Sequence, residues 1–173
     1  MTPPRLDPEA VRRIVRAALA EDLGEAGDVT TAAVVPEGLR ARGRIVARSR
    51  LVVAGLPVVR RVFAELDDTI EVEARWGEGD VAEGGAVLGV VRGAARPILS
   101  GERTALNFLG RMCGIATAAR EAVAEIEGTG SCVLDTRKTA PGLRLLDKYA
   151  VAAGGARNHR LGLFDEVMIK DTH

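Results

Sequence analysis

Residues 1 to about 95 switch repeatedly between the apolar period of an α-helix and that of a β-strand. Asp7 as an N-cap, followed by Pro8, predicts the start of a helix. The apolar residues that then recur every three or four positions are Val11, Ile14, Val15, Ala18 and Leu19. A second helix is predicted over 56–66. The predicted strands cover 41–54, 70–76 and 86–92, which indicates an α+β domain with a small, mostly antiparallel sheet.

A longer helical pattern follows this predicted sheet. It begins at Pro97 and extends to about Glu127, and we expect an interruption near Gly110–Gly114 because glycine weakens helices. No polar linker flanks the pattern, so the helix is expected to join two domains rigidly.

The apolar pattern after Gly130 changes to short continuous runs. Residues 132–134 and 167–169 are predicted strands buried on both faces, and 143–153 is the predicted helix between them. A strand–helix–strand crossover of this length makes the two strands parallel. Parallel strands bring their carboxyl ends to one edge of a sheet, where α/β proteins bind ligands.

Cationic side chains are concentrated at these predicted strand ends. The chain has 21 arginines but only three lysines, Lys138, Lys148 and Lys170, and its two histidines are His159 and His173. Arginine grips carboxylates or phosphates through two hydrogen bonds, and lysine supplies a point charge. No Ser–His–Asp set or cysteine nucleophile accompanies them, so the pattern indicates binding and electrostatic stabilisation of a small, multiply anionic ligand. The alternative is ordinary ion pairing: Arg137 with Asp135 or Asp147, and Lys170 with Asp171 or Glu166.

Composition and charge argue against several other classes. The formal net charge is zero, which gives no support for a nucleic-acid-binding or membrane-surface protein. No apolar run approaches the roughly 18 residues of a membrane span, and the N-terminus lacks the apolar region of a signal peptide. We therefore expect a cytoplasmic protein. Cys113 and Cys132 lie in apolar surroundings without metal-ligand spacing, so we expect both to be buried and reduced, and we assign no metal ligand.

Short motifs spread over nearly the whole chain combine into one specific order. They are Glu21-Asp22-Leu23-Gly24 with Gly27-Asp28-Val29-Thr30-Thr31, Glu102-Arg103-Thr104-Ala105-Leu106-Asn107, Leu134-Asp135-Thr136-Arg137-Lys138-Thr139, Pro141-Gly142-Leu143-Arg144, Lys148-Tyr149-Ala150, Gly154-Gly155 with Asn158-His159-Arg160, and Ile169-Lys170-Asp171. In this order they resemble the decarboxylating quinolinate phosphoribosyltransferases, also called nicotinate-nucleotide pyrophosphorylases.

The resemblance implies an α+β N-terminal sandwich domain over 1–110, followed over 111–173 by the first part of an α/β barrel. It implies phosphoribosyl transfer from phosphoribosyl pyrophosphate to quinolinate with decarboxylation, which gives nicotinate mononucleotide, pyrophosphate and CO2 in NAD biosynthesis. The family works as dimers, and Mg²⁺ accompanies the pyrophosphate. Family members continue beyond position 173, so we expect the barrel to be incomplete, the metal ligands to lie in the missing part, and this chain to be inactive alone.

The resemblance also carries roles to individual residues. Quinolinate is held by Arg137, His159, Arg160 and Lys170, and by Arg103 reaching in from the partner subunit. Thr136 and Lys138 belong to the same binding loop, with Lys138 facing the phosphoribosyl donor. Lys138 and Lys170 are the expected catalytic residues.

Two other interpretations stay open from the sequence. The first is the molybdenum-associated paralogue of the same fold with another substrate, and the full set of cations favours the dicarboxylate quinolinate over it. The second is a truncated, non-catalytic protein that only dimerises or binds ligand.

Overall fold

A computed structural model describes residues 5–169 and residue 171. Its elements in chain order are α1 Pro8–Leu23, α2 Val29–Val34, β1 Arg40–Val46, β2 Leu51–Val52, α3 Leu56–Leu66, β3 Glu71–Ala74, β4 Val81–Ala82, β5 Val87–Ala94, α4 Ala95–Glu125 and α5 Arg144–Ala153. No helix in this described part of the chain is both long and apolar enough to cross a membrane.

The N-terminal part contains the predicted antiparallel sheet. Three strands pair in the order β1-β5-β3, and β2 and β4 form a separate two-stranded ladder. The predicted strand over 41–54 is divided, because the register of β1 against β5 shifts between Ile45 and Val46 and the chain then bends before β2. Such an irregularity turns a strand away from its sheet.

The predicted helices α1 and α3 are confirmed, and α1 begins with Asp7 accepting a hydrogen bond from the backbone N–H of Glu9 at 3.1 Å. The short helix α2 was not predicted. Asp28 is its N-cap and accepts from the N–H of Thr31 at 2.9 Å. The Ser100 hydroxyl donates to the same carboxylate at 3.0 Å, so this motif residue fastens α2 to α4.

The prediction of an interruption in α4 is wrong. The helix continues for 31 residues through Gly110 and Gly114. Buried Met112, Cys113 and Ala116 pack this stretch into the main apolar cluster, and that packing outweighs the cost of about 1 kcal/mol for each helical glycine. The predicted domain boundary at 110/111 falls inside this helix and stays a prediction.

The two predicted buried strands after α4 are not formed as expected. Residues 132–134 make a single parallel bridge, between Leu134 and Arg157, and 167–169 form no strand. Leu134 is 50% exposed and Val167 is 95% exposed. A strand buried on both faces needs hydrogen-bonded neighbours and covering layers, which the described residues supply for neither segment.

The two cysteines differ in their surroundings. Cys113 is buried in α4, as predicted, and burial raises the pKa of its thiol. Cys132 is exposed, so the prediction for that residue is wrong. Its apolar neighbours belong to the segment that does not become a buried strand.

Candidate anion-binding site

Five of the predicted site residues line one cavity of about 400 Å³. They are Thr136, Arg137, Lys138, His159 and Arg160. Asp135 and Met168 complete the lining. Lys170 lies outside the described residues, so its predicted role stays a prediction.

The backbone brings the two halves of this cavity together. The N–H of Asp135 donates to the carbonyl of Arg157 at 3.0 Å, and the N–H of Arg157 donates to the carbonyl of Val133 at 2.9 Å. The bridge is parallel, so the two segments that follow Leu134 and Arg157 leave it in the same direction. Residues 136–138 and 159–160 therefore enter the same space. The parallel partner of 132–134 in this bridge is Arg157, whereas the sequence predicted the strand 167–169, with Lys170 at its end, as that partner.

Arg137 does not make the ion pairs that the alternative interpretation required. Asp135 pairs with Lys148 at 2.6 Å, and Asp147 pairs with Arg111 at 2.7 Å. The Nε of Arg137 is buried and has no hydrogen-bond partner within the described part of the chain. A buried guanidinium nitrogen without a partner calls for an anionic or carbonyl acceptor.

Asp135, which lines the cavity, belongs to a buried ion pair that was not predicted from the sequence. The side chains of Lys148 and Asp135 are 4% and 7% exposed. Asp135 Oδ1 also accepts from the backbone N–H of His159 at 2.7 Å, and Lys148 Nζ donates to the carbonyl of His159 at 2.9 Å. With its amide turned to donate, Asn158 adds a hydrogen bond to Asp135 Oδ2 at 3.1 Å. The motif Lys148-Tyr149-Ala150 was the available signal for this pair, but its partner is distant in sequence.

A second pair fixes the loop that follows the cavity residues. Arg111 grips Asp147 through two hydrogen bonds of 2.8 and 2.7 Å, and this bonding raises the pKa of Arg111. The N–H of Ala140 donates to the same carboxylate at 3.2 Å. Arg144 adds a bond from its Nε to the Thr139 hydroxyl at 3.1 Å. The loop residues Thr139 and Ala140 are thus each hydrogen-bonded to a residue of α5.

His159 and Arg160 are oriented by the segment after them. The Nη1 of Arg160, a residue 9% exposed, donates to the carbonyl of Glu166 at 3.3 Å. His159 Nδ1 accepts from the N–H of Arg160 at 2.6 Å and lies 3.2 Å from Glu166 Oε2. Asp165 closes the turn between Arg160 and Glu166. Its carboxylate accepts hydrogen bonds from two backbone N–H groups, and these bonds lower its pKa.

Arg103 does not line the cavity of its own chain. It is exposed on α4, so its predicted action across a dimer interface stays a prediction. A separate cavity of about 630 Å³ between α1, α4 and the loop 141–143 contains Glu21, Asp22, Thr104 and Asn107 from the same motifs. The Thr104 hydroxyl donates to Asp22 at 3.3 Å, which ties α4 to α1.

Comparison with known proteins fits both halves of this arrangement. A family model described as quinolinate phosphoribosyl transferase, N-terminal domain, matches residues 28–113. A second model, described as the C-terminal domain of the same transferase, matches residues 115–173. The chain belongs to the quinolinate phosphoribosyltransferase family. Its cation cavity lies in the part matched by the C-terminal model, and α1 precedes the part matched by the N-terminal one.

Individual members of the quinolinate phosphoribosyltransferase family extend the match to the whole chain. The chloroplastic nicotinate-nucleotide pyrophosphorylase [carboxylating] of Oryza sativa is 43% identical over 173 residues, which are 100% of this chain and 46% of the relative. A crystal structure of NadC from Streptococcus pyogenes is similar with a TM-score of 0.94 and 37% identity, over 98% of this chain and 60% of that one. The chain therefore spans about half the length of the curated relatives it matches. The predicted fold class is confirmed by this structural match.

The predicted cytoplasmic location is corrected by the names of the relatives. The rice relative is named as chloroplastic. A quinolinate phosphoribosyltransferase [decarboxylating] of Nicotiana tabacum, 42% identical over 171 residues and covering 99% of this chain and 48% of that relative, is named as mitochondrial. Composition and charge are shared by proteins of many compartments, so they do not assign one to this member of the family.

Proposed function

We propose that this chain carries the quinolinate-binding cations of a quinolinate phosphoribosyltransferase. The whole protein would transfer a phosphoribosyl group from phosphoribosyl pyrophosphate to quinolinate and release nicotinate mononucleotide, pyrophosphate and CO2. The observation that carries the proposal is the convergence of Arg137, Lys138, His159 and Arg160 on one cavity, with the Arg137 Nε left without a partner among the described residues.

The chemistry of quinolinate matches this set of side chains. Its two adjacent carboxylates need more than one cation, and a guanidinium binds a carboxylate through two parallel hydrogen bonds. The cavity is also in the size range of small-molecule sites. A single carboxylate, as in nicotinate, would leave part of the positive charge without a counter-charge.

The reaction depends on positioning and charge. The pyridine nitrogen forms a bond to the anomeric carbon of the ribose while the bond to pyrophosphate breaks, and the electron pair of that bond leaves with pyrophosphate. The transition state is oxocarbenium-like, so orientation and electrostatic stabilisation contribute more than a strong base. Lys138 lies on the loop that borders the same cavity, which supports its role beside the phosphoribosyl donor.

The decarboxylation uses the product of the first step. The alkylated ring nitrogen is positive, so it stabilises the electron pair that remains on the ring carbon when the adjacent carboxylate leaves as CO2. That carbon then takes up a proton. In this scheme Arg137 and Arg160 hold the dicarboxylate in place before the ring becomes positive, and Lys170 is assigned to the same site on the family pattern alone.

Mg²⁺ is part of the proposal only as a companion of the pyrophosphate donor. No group of three or more His, Cys, Asp or Glu residues in the described part of the chain could hold a metal ion. The described residues therefore do not fit a resident metal.

A homodimer with Arg103 acting across the interface is the proposed assembly. What supports it is the position of Arg103, which is exposed on α4 and away from the cavity of its own chain. A charged side chain in this position can contact a second subunit without any rearrangement of the subunit that carries it.

Calorimetry with quinolinate tests the proposal directly. Quinolinate should bind, nicotinate should bind much more weakly, and Arg137→Ala should weaken quinolinate at least about 30-fold, since loss of a charged partner in a buried site costs about 2 kcal/mol or more. Arg50→Ala is the matched control, because Arg50 pairs with Glu83 where both side chains are more than 70% exposed. Equal binding of the two pyridines, or no effect of Arg137→Ala, would contradict the proposal.

A further inference from the structure

We propose that the buried pair of Lys148 and Asp135 is a positioning device for the anion site. The pair holds residues 136–138 and 158–160 at a fixed spacing and so sets the distance between the cations that they carry. The inference rests on the proposed function for its ligand, quinolinate, and concerns two residues that the proposed function does not use.

The pair connects three separate parts of the chain at one point. Lys148 extends from α5, Asp135 follows the bridge residue Leu134, and both bond to the backbone of His159. Asp135 Oδ1 accepts hydrogen bonds from Lys148 Nζ at 2.6 Å and from the backbone N–H of His159 at 2.7 Å. Lys148 Nζ reaches the His159 carbonyl at 2.9 Å. The backbone N–H and the backbone carbonyl of His159 are thereby held by the same ion pair.

The helix α5 does not need this pair for its own attachment. Asp147, one position before Lys148, is held by the two hydrogen bonds from Arg111. At the other end of α5, Arg120 Nε donates to the carbonyl of Gly154 at 2.7 Å. Lys148 is therefore attached to an already fixed helix, which makes it a rigid point from which the two loops are oriented.

Stability alone is a weak explanation for such a pair. Desolvation of two buried charges offsets most of their mutual attraction, and apolar replacements of buried pairs are often neutral or stabilising. Orientation of neighbouring groups is the better-supported use, because residues that touch the ligand work only when a second layer fixes their geometry.

Electrostatics and positioning predict opposite outcomes for Asp135→Asn. If only charge mattered, removing a negative charge beside an anion site would strengthen quinolinate binding. If the pair positions the site, the same change weakens binding, because Lys148 loses its charged partner and the His159 N–H loses its charge-assisted hydrogen bond. The double variant, Asp135→Asn with Lys148→Met, leaves the net charge unchanged. Charge alone therefore predicts that it binds quinolinate as the natural chain does.

The test compares Asp135→Asn, Lys148→Met and the double variant by calorimetry with quinolinate, thermal unfolding and amide exchange. We expect each single variant to lose thermal stability and the double variant to regain part of it. We expect the double variant to bind quinolinate at least about tenfold more weakly than the natural chain, with faster amide exchange at 136–138 and 157–160. Natural affinity in the double variant would overturn the inference.

Glu65→Gln is the matched control. Glu65 is also 7% exposed and paired with arginines, but it lies on α3. It should lose stability without changing quinolinate binding or exchange at 157–160. If the natural chain binds no quinolinate, the proposed function fails, and exchange alone decides the inference. Unchanged protection of the His159 amide in all three variants would then refute it.

Discussion

Gly154, which ends α5, lies directly against the carbonyl oxygen of Ala116 in α4. A Cβ at position 154 would overlap that oxygen and lie 2.7 Å from the Cβ of Ala119. Gly154→Ala should therefore push α5 away from α4 and lower the free energy of unfolding by about 1–3 kcal/mol, which urea denaturation measures. Because α5 carries Lys148, the same variant should also weaken quinolinate binding.

Gly110→Ala is the control for this substitution. Gly110 lies in α4 as well, but nothing lies within 4 Å of a Cβ built there. Alanine should be neutral or stabilise the protein by up to about 1 kcal/mol, because glycine disfavours a helix interior. If both variants lost the same stability, the close approach of α5 would not be the cause.

Local patterns predicted the helices and the meeting of the cations. Apolar spacing and a cap are properties of a few neighbouring residues, so α1 and α3 were identified correctly. The length of the crossover predicted a parallel partner for 132–134, and a parallel contact exists, but with Arg157 instead of the predicted strand 167–169. His159 was expected in the cavity with Arg137 only on the family resemblance, and it is found there.

The errors concern features that distant residues decide. Whether 132–134 or 167–169 is buried depends on neighbours that local composition does not contain, and the bond from Lys148 to Asp135 spans 13 positions. The continuity of α4 at Gly110 depends on packing of its other face. Periodicity carries no information on any of these.

Glu78 gives the protein a specific pH dependence. Its carboxylate accepts the N–H groups of Gly55 and Leu56 at the start of α3, at 2.7 and 3.0 Å, and burial raises its pKa. The folded state therefore binds more protons than the unfolded state, and stability from this group falls as pH rises from about 4.3 through the raised pKa. Denaturation at pH 4–7 should show the advantage of the natural chain over Glu78→Gln shrinking as pH rises.

Glu65 should show the opposite pH dependence. Burial works to raise its pKa, but hydrogen bonding with Arg16 and the charges of Arg61, Arg16 and Arg12 outweigh burial and lower it. Stability from this group is present above about pH 4.3 and is lost as pH falls through the lowered pKa. The advantage of the natural chain over Glu65→Gln should therefore shrink toward acid pH. If stability changed with pH in the same way for Glu65→Gln and Glu78→Gln, the surroundings of the two carboxylates would not differ as their contacts indicate.

Exposed apolar side chains after Arg160 should promote self-association. Leu163, Phe164, Val167 and Ile169 are 73–95% exposed. Apolar groups gathered in one short segment are typical of contact surfaces. Sedimentation velocity should show concentration-dependent association of the natural chain that Phe164→Ser with Val167→Ser reduces. Val34→Ser, which changes a 72% exposed residue on α2, is the control and should leave association unchanged.

Mixing two variants with weakened quinolinate binding tests whether Arg103 acts across a dimer interface. Arg103→Ala and Arg137→Ala should each weaken quinolinate binding strongly when present alone, as for Arg137→Ala above. In a mixed dimer, one cavity has Arg137 from one subunit and Arg103 from the other, so it is intact, and the second cavity lacks both. Random mixing gives half of the dimers this composition, so about one quarter of the sites should bind quinolinate in calorimetry. A mixture of Arg137→Ala with Arg160→Ala is the control, because each cavity then lacks one of its own arginines and no site is restored. Failure of the first mixture to regain binding, with exchange of subunits confirmed by native mass spectrometry after isotope labelling of one variant, would show that Arg103 does not complete the site of its partner.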